Sequence, residues 1–303
     1  MTGPEAEPLC CCEYYNKEGE RSHLLALCCD CVALDEAVDG LVSGAGVSPH
    51  LLPEILDVAE ERLRVPWRGG AVPVPLGRCV GVLVVPGLLV LASLHQVTAV
   101  LSLLLLLLAC LSVRLIVKVR PNTKFFLYCS YTTAASLLYV YEVKCVGTFW
   151  DLPKLISWWE NLVLVVGMVL MFLSYRRLRT EFTEKRERRE SEGRFCRVCS
   201  VRVVGRDHHC VWLDLCVSQS NITTFTTFLS VTSVTTCHLA LLLTSHACPG
   251  RLVGPVLLPS LCWPHTHNDR LVLVSGLYSG LIALLLSVLL LGQACRWIRH
   301  RNK

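Results

Sequence analysis

This 303-residue chain is short of charge: Asp, Glu, Lys and Arg make up 17% of it, against about 25% in an ordinary soluble domain. That deficit argues against a fully solvated globular protein and for spans in a bilayer. The imbalance between base and acid is also small, a formal net charge of +5. Such an excess does not point to nucleic acid; in a membrane protein it marks cytosolic loops facing anionic lipid. No internal repeat is visible, and the leucine run at 103–108 is membrane composition. Met1 to Leu9 is acidic and short of apolar residues, so no signal peptide is expected.

Cysteine is plentiful, with eighteen copies. Eight of them cluster in tight groups (Cys10-Cys11-Cys12, Cys28-Cys29-Asp30-Cys31, Cys196 and Cys199), unlike the spread over small loops of a secreted disulfide scaffold. Metal binding and thiol chemistry in a reducing compartment fit that distribution better.

Hydrophobic residues are 53% of the chain, and their runs organise it. Residues 1–78 read as a polar cytosolic segment holding the first two cysteine groups, with a short amphipathic helix over Pro53–Arg64. A span needs about 20 apolar residues. Residues 79–175 supply four such stretches, about 79–94, 97–118, 125–146 and 155–175, the first two joined by a tight hairpin at His95-Gln96. Trp158 and Trp159 anchor the fourth at the interface. Residues 176–224 form a basic loop followed by a Cys/His cluster; residues 225–295 carry two further spans, about 225–247 and 271–294, and 296–303 is a basic tail. Six spans put the turn 118–124, the loop 176–206 and the tail on one side, so the positive-inside rule places both termini and the cluster in the cytosol. The expected fold is an all-α polytopic membrane protein of about six transmembrane helices, with a cytosolic zinc-binding domain between spans four and five. Glu142, Lys144 and Glu160 lie near span ends, where headgroups reach them. His238, inside the fifth span, reads as a packing residue.

The informative stretch is FCRVCSVRVVGRDHHCVWLDLCVSQSN, residues 195–221. Cys196 and Cys199 form a CxxC knuckle, which sets two thiolates on one side of a tight turn, and His209 with Cys216 would close a tetrahedral zinc site. Three thiolates and an imidazole fill the coordination sphere, so the ion would be structural. Asp207, His208 and Cys210 remain. A thiolate is the reactive form of cysteine, and a nearby imidazole can generate it. A carboxylate beside that imidazole fixes its tautomer. Cys210 is thus the candidate nucleophile, His208 its base and Asp207 the orienting group. Spacing alone leaves three other readings open: a zinc knuckle with no chemistry, an iron–sulfur cluster, which the histidine disfavours, and a chance grouping.

Asp207-His208-His209-Cys210 resembles the signature tetrapeptide of the DHHC palmitoyltransferases. Trp212, Cys216 and Asn221 follow as in that family, and the basic flank and the spans on both sides agree. EPLCCCEYYNKEGE and ERLRVPWRGGA, near the head of the chain, resemble one vertebrate branch of it, and the resemblance extends over most of 7–295. It implies a protein S-palmitoyltransferase. Cys210 takes a long-chain acyl group from acyl-CoA and passes it to cysteines of cytosolic or membrane-anchored proteins, in an endomembrane (Golgi or ER) or the plasma membrane; nucleic acid has no part. Family members bind two zinc ions. Here Phe195 and Arg202 stand where a His and a Cys are usual, and the opening CxxC is missing, so one Zn2+ is expected. Val211 replaces a frequent Pro, and the usual TTxE motif after the last span is not found. The rival reading is a catalytically impaired scaffold of the same fold, and a third is a soluble zinc-finger protein. Arg194, Arg197, Arg202 and Arg206 are candidates to attract the CoA phosphates. The two N-terminal cysteine groups are candidates for S-acylation or for a second metal site.

Overall fold

A computed structural model describes residues 9–16, 19–23, 32–48, 51–112, 124–146, 157–187, 193–248 and 262–301. Two compact units share the chain: Met1–Val80 with Arg114–Phe125, and Gly81–Val113 with Phe126–Lys303.

The first unit is small and mixed. Strands β1 (Glu13–Tyr15) and β2 (Arg21–His23) form an antiparallel hairpin. Helices α1 (Val32–Val42) and α2 (Leu51–Arg62) meet through Ala37, Leu51 and Ile55. The second helix begins two residues before the expected Pro53, close to the N-terminal position where proline fits. Strands β3 (Arg64–Val65) and β4 (Val72–Pro73) make a second hairpin. Arg64 lies over the buried Tyr14 ring at 3.9 Å. The group Cys28–Cys31 lies outside the described residues, as does most of the turn 118–124.

Helix α3 (Leu76–Ala92) runs through Pro86, giving up one backbone hydrogen bond there. The expected break follows: Ser93 and Leu94 end the helix, and His95 caps the next one, α4 (Gln96–Leu111), through its side chain and Thr98. With 17 and 16 residues, these two helices are about 25 Å long, short of a hydrocarbon core of about 30 Å. Helix α5 (Phe125–Val140) continues into a π-helical turn, Tyr141–Val146. The long helices are α6 (Trp158–Glu187), α7 (Ile222–Ala247) and α8 (His267–Arg301). Among the described residues, three helical segments are long and apolar enough to cross a membrane: Trp158–Glu184, Ile222–Ala247 and His267–Cys295. The chain is therefore a mostly helical membrane protein.

The charged stretch after 175 differs from the expected loop, because α6 continues through it to Glu187. Its Arg, Glu and Lys residues are good helix formers, and Arg177 pairs with Glu181 one turn on, Nε to Oε1 at 3.0 Å.

Small and hydroxylated residues bring the long helices close, as expected where lipid supplies no hydrophobic drive between them. A Cβ on Gly167 of α6 would sit 2.6 Å from Thr235 Oγ1 of α7, and one on Gly276 of α8 would sit 2.8 Å from Thr244 Cγ2. Ser233 of α7 bonds Ser287 at 3.0 Å, and Ser279 donates to the Thr236 carbonyl at 2.9 Å. His238 packs as expected, its Nε2 lying 3.1 Å from the Glu160 carbonyl. At the far end of α7, Cys248 forms a disulfide with Cys262, five residues before α8.

Candidate functional site

Two short antiparallel hairpins join α6 to α7: β5 (Arg194–Cys196) with β6 (Val201–Val203), and β7 (Arg206–Cys210) with β8 (Leu215–Ser218). The turn between β5 and β6 carries the CxxC knuckle. Ser200 adopts a left-handed conformation, φ 57°, and returns its N–H to the Cys196 carbonyl at 2.8 Å. Beneath both hairpins lies a small core in which Leu178 and Phe182 of α6 meet Val203, Leu213, Leu215 and Val217, with Phe225 and Leu229 of α7.

Side chains alternate faces along a strand, and this divides the tetrapeptide. His209 is registered opposite Cys216 and faces the knuckle. One ligand atom each from Cys196, Cys199, His209 and Cys216 lies within 4.8 Å of the others. His209 Nδ1 is 3.9 Å from Cys196 Sγ, 3.4 Å from Cys199 Sγ and 3.9 Å from Cys216 Sγ, and the last two sulfurs are 3.6 Å apart. A tetrahedral zinc with bonds of about 2.3 Å to sulfur and about 2.0 Å to nitrogen has edges of about 3.5–3.8 Å. The donor set therefore fits such an ion. Hydrogen bonds from Cys216 and then His209 outweigh burial and hold the Cys199 thiol down at about 5; the same crowd of sulfurs pushes Cys216 up. One proton shared among close thiols is the state a cation would displace.

His208 and Cys210 lie two residues apart on the other face of β7. The pairing slips between Arg206 and His208, so Asp207 is a bulged residue. The bulge lets its Oδ2 accept from His208 Nδ1 at 2.9 Å. The His208 ring stands edge-on to Phe225, centroids 5.7 Å apart. Cys210 keeps partial surface exposure, yet its sulfur is largely desolvated. That loss of water raises its thiol to about 11, although backbone N–H groups of Leu213 and Trp212 oppose the rise. His208 and Cys210 share no hydrogen bond among the described contacts. The structure thus brings together the four metal-type residues and the Asp207–His208 pair, and places Cys210 beside them as a neutral thiol.

The surroundings hold this turn firmly. Trp212 packs edge-on against Phe126 of α5 at 4.9 Å, and its carbonyl accepts from Ser130 Oγ at 3.1 Å. Asn221, buried at the start of α7, accepts from Ser218 N–H at 2.8 Å and donates to the Cys216 carbonyl at 3.0 Å. Thr224 donates to Glu181 Oε1 at 3.0 Å, fastening α7 to α6. Of the four arginines, Arg202 and Arg206 are engaged with the Gly193 and Phe195 carbonyls, while Arg194 and Arg197 are exposed. Phe195 and Arg202 face each other across the first hairpin.

Sequence reasoning missed Asp214. This residue sits in a tight turn with φ 52°, its Oδ1 3.7 Å from His209 Nε2. A carboxylate behind a ligating imidazole fixes the ring and its tautomer. The available signal was an acid two residues before Cys216.

These features define a class: a membrane protein whose spans bracket a Cys3His cluster of metal-binding type, with one further cysteine beside an Asp–His pair. Residues 176–303 match the family DHHC palmitoyltransferase. Palmitoyltransferase ZDHHC23 of Mus musculus is 26% identical over an alignment covering 78% of this chain and 70% of its own. The Homo sapiens protein of that name is 25% identical, covering 72% and 69%. Palmitoyltransferase ERF2 of Kluyveromyces lactis is 42% identical over 50 residues, 16% of this chain and 14% of its own. No solved structure matches.

Proposed function

We propose that this chain is a protein S-palmitoyltransferase in which Cys210 takes a long-chain acyl group from acyl-CoA and hands it to cysteine thiols of other proteins. The observation that carries the reading is the division of one strand: His209 joins Cys196, Cys199 and Cys216, while His208 and Cys210 share the opposite face. With Nδ1–H directed at Asp207, His208 keeps a lone pair on Nε2 for proton transfer. That nitrogen takes the Cys210 proton as the sulfur attacks the thioester carbonyl of acyl-CoA. The CoA sulfur leaves and receives the proton back. In the second half, the incoming thiol gives its proton to Nε2 and attacks the acyl-Cys210 carbonyl, and the Cys210 sulfur leaves and is reprotonated. One thioester is exchanged for another each time, with no oxidation.

Cys196, Cys199, His209 through Nδ1, and Cys216 would hold one Zn2+. With all four positions filled it serves to clamp the turn. Helices α3 to α8 are read as six passes, with both termini and the Cys/His turn in the cytosol of an endomembrane or the plasma membrane. The disulfide Cys248–Cys262 supports that orientation. Disulfides persist in oxidising compartments, and this one lies at the opposite end of α7 from the thiols of the site.

The test is acyl-resin capture after hydroxylamine. Thioester-linked palmitate on Cys210 is expected, absent in Cys210→Ser and strongly reduced in His208→Ala. A membrane-inserted, zinc-loaded protein whose Cys210 never carries a thioester would leave only the scaffold reading.

A further inference from the structure

We infer that the Cys10-Cys11-Cys12 turn is itself an S-acylation site, a place where long-chain acyl thioesters tack the first unit to the membrane surface. The inference does not require Cys210 to be the donor, so it stands apart from the transferase reading. All three thiols are free of disulfides, Cys10 and Cys11 are exposed, and Cys11 Sγ lies 3.6 Å from Cys12 Sγ. Among the described residues, the group suited to a metal ion is the one around Cys196, not this one.

The turn has a fixed shape. Cys10 N–H donates to Glu13 Oε2 at 2.9 Å, and Glu13 N–H returns to the Cys10 carbonyl at 3.0 Å. Arg21 holds that carboxylate from the side at 2.7 Å. The turn is also stitched to the β3–β4 loop. Trp67 N–H donates to the Cys11 carbonyl at 3.2 Å, and Ala71 N–H donates to the Glu13 carbonyl at 2.7 Å. Cys11, Pro66, Trp67 and Arg68 together line a shallow cleft.

That loop carries the marks of a bilayer surface. Trp67 is 65% exposed, and Val65 and Val72 are exposed beside it. An indole standing in water, with apolar neighbours and a cation alongside, is the pattern of an interfacial anchor. The chain fixes the distance as well: Leu76, the start of apolar helix α3, is the third residue after Pro73. Three extended residues span at most about 11 Å. The loop to which the turn is stitched thus lies a few residues along the chain from an apolar helix.

The chemistry is thioester exchange. A cysteine sulfur bonds to the acyl carbonyl carbon, the donor's carbon–sulfur bond breaks, and the proton passes from the accepting thiol to the departing one. Hydrogen bonds with Cys12 and then Cys10 keep the Cys11 thiol above its usual range. Uncatalysed acylation by acyl-CoA is accordingly slow, and a transferase is the expected agent.

The experiment uses the full chain in cells fed an alkyne analogue of palmitate, with the peptide containing residues 10–12 read by mass spectrometry before and after hydroxylamine. A thioester-linked label on that peptide is expected. It should be lost in the triple variant Cys10→Ser, Cys11→Ser, Cys12→Ser and reduced in Trp67→Ala, with both variants still membrane-inserted. Cys210→Ser separates the donors. Loss of the N-terminal label assigns it to this chain's own site, retention assigns it to another transferase, and either result supports the acylation site. Full alkylation of Cys10, Cys11 and Cys12 by maleimide in the untreated protein, with no thioester mass, overturns it.

Discussion

Asp214 offers the sharpest test of how the Cys/His turn is held. Its Oδ1 is 3.7 Å from His209 Nε2, and the side chains are 29% and 10% exposed. Changing Asp214 to Asn removes the charge but keeps the shape. Asn is also suited to the backbone, because φ 52° is a left-handed angle that Asn tolerates and most residues do not. Loss of a carboxylate behind a metal-bound imidazole typically weakens metal binding by about 10–100-fold. The 3.7 Å separation exceeds a good N–H···O length of about 2.7–3.2 Å, so the lower end applies: about tenfold, or about 1.4 kcal/mol. Zinc affinity of the purified protein, measured by competition with a chromophoric chelator, reads this directly. Cobalt substitution adds a second readout, since the thiolate-to-metal band reports ligand geometry without any turnover. An unchanged affinity and an unchanged cobalt spectrum in Asp214→Asn would refute the idea that this carboxylate orients His209.

Two further expectations concern the same turn. The Cys199 thiol is held at about 5, first by Cys216 and next by His209. A depressed value keeps the thiolate available above that pH, and protons compete for it only below. Zinc release to a chelator is therefore expected to grow as the pH falls, and release that did not change on acidification would contradict this. Replacing Asn221 with Ala removes one hydrogen bond from the Ser218 N–H and one from the Cys216 carbonyl. Each hydrogen bond lost costs about 0.5–1.5 kcal/mol. The variant should lose zinc to chelators faster and melt several degrees lower in detergent; a melting curve superimposable on the parent's would show that Asn221 is dispensable.

The sequence made the helices legible where apolar runs were long and bounded. The break at His95 falls where the apolar runs part, and the three long helices overlap the apolar runs while extending beyond them. It misjudged the region after Tyr175 because charge was taken as a sign of loop, whereas Arg177 and Glu181 sit one turn apart and favour continuation. The metal-type residues were readable because CxxC and HHC are local patterns. The bulge at Asp207 and the carboxylate of Asp214 were not, since both depend on strand pairing across a turn, which no spacing rule encodes. Cys248 and Cys262 escaped notice for a related reason: each is a single cysteine in a cysteine-rich chain, and only the ends of α7 and α8 bring them together.

The bridge from Cys248 to Cys262 bears on how the molecule must be handled. Helix α7 has 26 residues, about 39 Å of rise, with an oxidised sulfur pair at one end and four free thiols, Cys196, Cys199, Cys210 and Cys216, by the other. A reductant strong enough to keep Cys196, Cys199 and Cys216 from oxidising during purification will also attack the strap between α7 and α8. Saturating zinc protects the three ligand sulfurs without touching the disulfide, so metal supplementation lets the added thiol be kept to the little that Cys210 needs.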